Sequence, residues 1–437
     1  MMEKKSEPQI NTPLTYLSGM PGYWQTEALA NTLPLGQNTP QKPAHGLYAE
    51  QLNGSAFTRP RHQNIKSWLY RIYPQVKHHR FEKKMGFKLN LEKQSLIATP
   101  EQLRWDPMPP PAKPKDFLAG CQTFISNGNP MQQDGAAVHL YAANQSMVDY
   151  FYNADGELLI IPCEGALRLK TEMGILEIKP KEIAVIPRGV VFQVECLAPV
   201  IKGYVCENFG APFCLPDLGP IGSNGLANPR DFCIPNAWFE DKAGAFNLIC
   251  KYGRQLWSAP IKHSPLNVVA WHGNYAPYKY NLSLFNAINT VSYDHCDPSI
   301  FTVLTSQTAL PGLANIDFVI FPERWMVAEN TFRPPYYHRN IMSEYMGLIH
   351  GTYDAKKKGF APGGGSLHNC MSGHGPDAQT TIAAREACLK PEKQENTLAF
   401  MIESHLPWYV TQEALSSAQL QKNYQDCWQD LPKFFKG

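Results

Sequence analysis

Four of the 13 histidines fall between Arg333 and Pro376, at His338, His350, His368 and His374. The stretch reads RPPYYHRNIMSEYMGLIHGTYDAKKKGFAPGGGSLHNCMSGHGP, and its Glu344 lies six positions after His338 and thirty before His374. Two imidazoles and one carboxylate suit a borderline divalent metal such as Fe(II). Three protein ligands on one side leave the other side open for substrate and O2. Thiolates would favour softer metals. Cys370 lies between His368 and His374, but the chain has no C-x-x-C pair. A single histidine is more often a surface or core residue, and one His-x5-Glu pair arises often by chance. Two histidine-bearing segments close together are the stronger signal. Spacing alone leaves five candidates, His338, Glu344, His350, His368 and His374, for three places.

Elements must then hold these groups. An even separation puts side chains on one face of an unbroken strand. His338 and Glu344 satisfy that parity, and so do His368 and His374. Pro362-Gly363-Gly364-Gly365 marks a tight connection between strands. The expectation is a metal pocket between two β segments in a barrel mouth.

The same residues carry a family resemblance. RPPYYHRN, MSEYMGLI and GFAPGGGSLHNCMSGHGPDA resemble the iron-site signature of the homogentisate 1,2-dioxygenases. LYAEQLNGSAFTRPR, SWLYRIYP, QLRWDP and LPDLGPIGSNGLANPRDF are also similar to segments of that family. The likeness runs from about Tyr16 into the last third of the chain; MPGYWQTEALANTLP is less similar than its neighbours. Position by position, the resemblance implies metal ligands His338, Glu344 and His374, with Fe(II) as the metal. It implies His295, in SYDHCDP, as proton acceptor, and Tyr353 at the substrate, with His374 also lining that pocket. His368 would stand behind a ligand or contact substrate. His350 matches no role. The implied reaction opens the ring of homogentisate with O2 to give 4-maleylacetoacetate, in tyrosine and phenylalanine breakdown. The implied assembly is a homohexamer, a dimer of trimers.

Composition limits the alternatives. A formal net charge of +2 gives no reason to expect nucleic acid or an anionic membrane as partner. No run of about 18 apolar residues marks a membrane span. The N-terminus MMEKKSEPQINTP has no apolar core, so no signal peptide is expected there. Eleven cysteines without framework spacing suit reduced thiols and a cytoplasmic protein.

Aromatic content of 11% and 37 prolines favour a β-rich fold over a helix bundle. Residues 1–15 are polar and expected to be loose, and PMPPPAKPKDF, from Pro107, is an extended connector. Residues 135–210 carry the clearest pattern: VHLYAAN, GELLIIPCEG, ALRLKT, GILEIKP, EIAVIPRG, VVFQVE and IKGYVCENFG, separated by turn residues. In ALRLKT, Leu167 and Leu169 alternate with Arg168 and Lys170, as one buried face requires. The rhythm resembles a cupin half-barrel without clustered histidines, so a metal-free structural barrel is expected. LPDLGPIGSNGLANPRDF lacks the Gly-Lys-Ser/Thr ending of a phosphate loop and fits a long ordered loop. Helical spacing is expected over DAQTTIAAREACLK and in a closing helix from Thr411, and AFMIESHLPWYVT fits one strand.

The expected fold is therefore mainly β. A β-sandwich or cupin-like barrel domain spans 1–280, and a cupin-like catalytic domain with a few helices spans 281–437. Two other functions fit the same ligand pattern: a cupin-like binding or storage protein with a structural metal, and a Zn(II)- or Mn(II)-dependent isomerase or hydrolase.

Overall fold

The computed structural model describes residues 10, 13–91, 95–219, 226–353, 355 and 359–437. Most of the expected loose N-terminus and the centre of the Gly/Asn loop, 220–225, lie outside them. The fold is mainly β with few helices, as expected. Every strand expected over 135–210 is present. Leu167 and Leu169 are fully buried, while Arg168 turns outward to Glu177 and Glu195 on the two adjoining strands. The strand Glu157–Glu164 is buried on both faces over its first six residues, because it sits mid-sheet between layers. Each fully buried Leu or Ile there contributes about 1.5–3 kcal/mol.

The first half is built on a ten-stranded and a seven-stranded sheet. Its interior holds a buried polar cluster. Lys251 Nζ lies 2.7 Å from Glu207 Oε1, His139 Nε2 lies 2.9 Å from Glu207 Oε2, and Asp155 completes the group. Burial acts to raise the Glu207 pKa, but Lys251 and His139 outweigh it and hold the carboxyl far below its usual range.

The second half centres on a six-stranded sheet. Its strands are β1 (Leu103–Trp105), β2 (Thr302–Gln307), β3 (Ala314–Phe321), β4 (Ser343–Gly351), β5 (Gly365–His368) and β6 (Thr397–Ser404). Their order is β2-β3-β6-β4-β5-β1. β1 comes from the first half of the sequence. In return, Tyr409–Thr411 pairs with Cys121–Ser126 in the ten-stranded sheet. Each half thus lends a strand to the other. Tyr204 adds a lock by donating its hydroxyl towards the carbonyls of Leu348 and Gly364, 3.0 and 2.7 Å away.

Helix α1 (Ala378–Glu386) forms as expected, with the Asp377 carboxylate accepting from Thr380 N–H. Two other expectations are corrected. AFMIESHLPWYVT is two strands in different sheets, β6 and Tyr409–Thr411, broken at His405–Trp408. The closing helix shrinks to Gln412–Leu415 and a short 3-10 turn at Tyr424–Trp428. Between them the chain pairs with β1: Asp106 N–H donates to Gln419 O, and Gln421 N–H to Arg104 O. Pairing with a sheet edge outweighs weak helix propensity in a Ser-rich stretch.

Candidate metal centre

Glu344, the second residue of β4, faces His368 of β5 on one side and Glu403 of β6 on the other. His338 and His374 are not on regular strands. The expected parity fails because residues 341–342 bend between His338 and β4, and a turn separates His368 from His374. An isolated β-bridge joins the two histidines instead. His338 N–H donates to His374 O at 3.0 Å, and His374 N–H to His338 O at 3.1 Å. The segments meet so closely that a Cβ on Gly375 would sit 2.5 Å from the Tyr337 ring.

The bridge leaves the ligand atoms of His338, Glu344 and His374 within 4.8 Å of one another. His338 Nδ1–H donates to Tyr336 O at 2.7 Å, and His374 Nδ1–H to Ser372 O at 2.9 Å. Both Nε2 lone pairs are thereby free for a metal. Burial, then the His374 ring beside it, lowers the His338 pKa and favours the neutral, ligating form. Burial acts to raise the Glu344 pKa, but the hydrogen bond from His368 and the adjacent imidazoles outweigh it and keep Glu344 ionised. His374 Nε2 is buried without a hydrogen bond, although Glu344 Oε1 is only 2.7 Å away. A lone pair and a carboxylate oxygen at that distance repel unless a proton joins them or a metal ion bridges them from the side. The donor set therefore fits a divalent metal.

His368 is 4% exposed and is not among the residues lining the cavity beside Glu344. It stacks on His374 with ring centres 4.1 Å apart. Its partners fix its tautomer. Arg104 Nη2–H donates to the Tyr424 hydroxyl at 3.2 Å, and the hydroxyl donates to His368 Nε2 at 3.0 Å. Nδ1–H is then left for Glu344 Oε1, at 3.0 Å. This relay orients the carboxylate from behind. Arg104 stands in the family-like segment QLRWDP, but the resemblance implies no role for it, and Tyr424 carries no signal; the two lie hundreds of residues apart and neither stands in a metal motif. His350, on β4, is outside the cavity.

The cavity, about 390 Å³, is lined by His338, Glu344 and His374, and also by His295 and Tyr353. His295 Nε2–H donates to Phe332 O at 2.6 Å, so its Nδ1 keeps a lone pair. Tyr353 is buried near Phe321 and Phe360. Glu403 also lines the cavity. Burial first, then Asp317 and Glu344, pushes its pKa up to about 8.

Fold and site together define a mainly β protein with a pocket in which two histidines and one carboxylate could hold a metal. The profile described as homogentisate 1,2-dioxygenase N-terminal matches residues 15–282, and the corresponding C-terminal profile matches 283–435. The chain belongs to the homogentisate 1,2-dioxygenase family, a family of oxidoreductases. Among solved structures it is similar to a cupin 2 conserved barrel domain protein from Leptotrichia buccalis. That match has 9% identity and a TM-score of 0.30 over 67% of this chain and 91% of the other. It is also similar to a deletion mutant of oxalate decarboxylase from Bacillus subtilis. There the identity is 9% and the TM-score 0.30, over 71% and 78% of the two chains.

Proposed function

We propose that this protein is an Fe(II)-dependent enzyme that converts homogentisate and O2 to 4-maleylacetoacetate in tyrosine and phenylalanine breakdown. Both oxygen atoms enter the product, so the reaction balances without an added reductant. One observation carries the reading. The three candidate ligands share the wall of one cavity with His295 and Tyr353.

His338, Glu344 and His374 would hold the metal. Ferrous iron supplies a meeting place for a ring hydroxyl and O2, whose direct reaction is slowed by spin. His295 accepts the hydroxyl proton at Nδ1, the ring atom left free by the bond to Phe332. Tyr353 contacts the bound substrate from the aromatic wall. His374 serves both metal and substrate pocket. His368, with Tyr424 and Arg104 behind it, keeps Glu344 from rotating away.

The same reading carries a cytoplasmic homohexamer of two trimers. Among the described residues no helix is long and apolar enough to cross a membrane. Light scattering on the purified protein tests the assembly.

The deciding experiment loads the protein with Fe(II) under argon, then adds homogentisate and O2. One O2 consumed per homogentisate, with the absorbance of the ring-opened product, is the expected result. Absence of uptake by fully iron-loaded protein overturns the proposal.

A further inference from the structure

We propose that Arg104 and Ser366 form the subsite for the carboxylate of the aromatic substrate, an inference that rests on the aromatic-acid dioxygenase reading above. The argument begins with sheet register. Same-face residues on a strand lie two positions apart, about 6.7 Å, and neighbouring strands are about 4.8 Å apart. Two residues along from Glu344 on β4 is Met346. Its register partners are Met401 on β6 and Ser366 on β5, and Ser366 pairs in turn with Arg104 on β1. All four line the cavity with Glu344. The wall beside the metal ligands thus runs from two methionines to a serine and an arginine. An aromatic ring fits over the first pair, and an acidic arm extends towards the second.

Two buried polar atoms mark the end of that row. Arg104 Nε and Ser366 Oγ have no hydrogen-bond partner, although the residues are 4% and 1% exposed. Arg104 gives its other donors to Gly359 O and the Tyr424 hydroxyl, and its plane lies over the Phe360 and Tyr424 rings. Among the described residues no carboxylate forms an ion pair with it. A guanidinium out of water with neutral neighbours alone is costly, and an anionic ligand offsets that cost. Guanidinium geometry matches a carboxylate. Arg333 is the rival, since it also lines the cavity with a buried, unpartnered Nε. It is only half-buried, and it lies on the loop before His338 rather than on the sheet that carries the methionine row.

The test is equilibrium binding to metal-loaded protein under argon, with two probes: 2,5-dihydroxyphenylacetate and uncharged methylhydroquinone. Wild type should prefer the acid by about 30-fold or more, the range for hydrogen bonds to a charged group. Arg104→Met should reduce that preference to about threefold or less; because Arg104 also supports the relay to Glu344, the quantity read is the ratio of the two affinities in metal-loaded protein. Ser366→Ala should lower the preference by about fivefold and gives a second reading if Arg104→Met does not fold. Tyr424→Phe breaks the relay to Glu344 but should keep the preference. Equal binding of both probes by wild type overturns the proposal. So does an equal loss of both in Arg104→Met, an unchanged preference in Ser366→Ala, or loss of the preference in Arg333→Met alone. Binding without O2 uptake would refute the dioxygenase reading and leave the subsite standing, so the two failures are separable.

Discussion

His338 and His374 hold each other through a reciprocal pair of backbone hydrogen bonds, at 3.0 and 3.1 Å, before any metal is considered. Their side chains converge because their main chains are already tied. The pocket is therefore preorganised at two of its three ligands, and Glu344 is set by the relay behind it.

Removal of that third ligand should be decisive. Glu344→Ala is expected to lose bound metal and turnover together, measured by elemental analysis and O2 uptake on the same sample. Full metal occupancy in the variant would remove Glu344 from the ligand set.

Tyr424→Phe should act more gently. It deletes the hydroxyl that fixes the His368 tautomer while keeping the ring. Metal affinity should fall about 10- to 100-fold, as for other groups that orient ligands. Competition with a chelator reads this directly. Unchanged affinity would mean that Glu344 is oriented by packing alone.

His295→Asn should retain the metal and slow turnover by about 10²- to 10⁴-fold, the usual contribution of a positioned base. A variant turning over at the wild-type rate would show that the proton leaves by another route.

Glu157 offers a test far from the metal centre. Burial raises its pKa from 4.5 to about 7, against the hydrogen bonds from Asn208 and Phe213 N–H. The folded protein thus binds this proton more tightly than the unfolded chain does. Its contribution to stability is full below about pH 4.5 and is lost as pH rises through about 7. Glu157→Gln should gain on wild type by about 3 kcal/mol between those limits. Thermal midpoints compared at pH 5 and pH 8 measure the change. A variant offset that is equal at both pH values would refute the raised pKa.

Lys251 should matter for the fold alone. Lys251→Met leaves the fully buried Glu207 without its ammonium and should cost about 3–5 kcal/mol. Adding Glu207→Gln should recover part of that loss. If the two losses simply add in thermal denaturation, the pair is not coupled.

The sequence by itself determined the strands between 135 and 210, because alternation and turn residues act within a few positions. It also determined the Asp377 cap of α1, a contact spanning three residues. Likeness to one family, rather than spacing, singled out His338, Glu344 and His374 from five candidates. Tertiary structure alone decided how they meet. Parity along a strand was the wrong argument, since the chain bends between His338 and β4 and a bridge does the joining. Arg104 and Ser366 stand in segments that resemble the family, QLRWDP and GFAPGGGSLHNCMSGHGPDA, yet neither spacing nor resemblance gives them a role, and Tyr424 stands in no such segment. A side chain's neighbours across a sheet depend on strand order and register, which follow from how the whole core packs. No local pattern encodes that the strand at Leu103–Trp105 would cross into the second sheet and carry an arginine to its cavity.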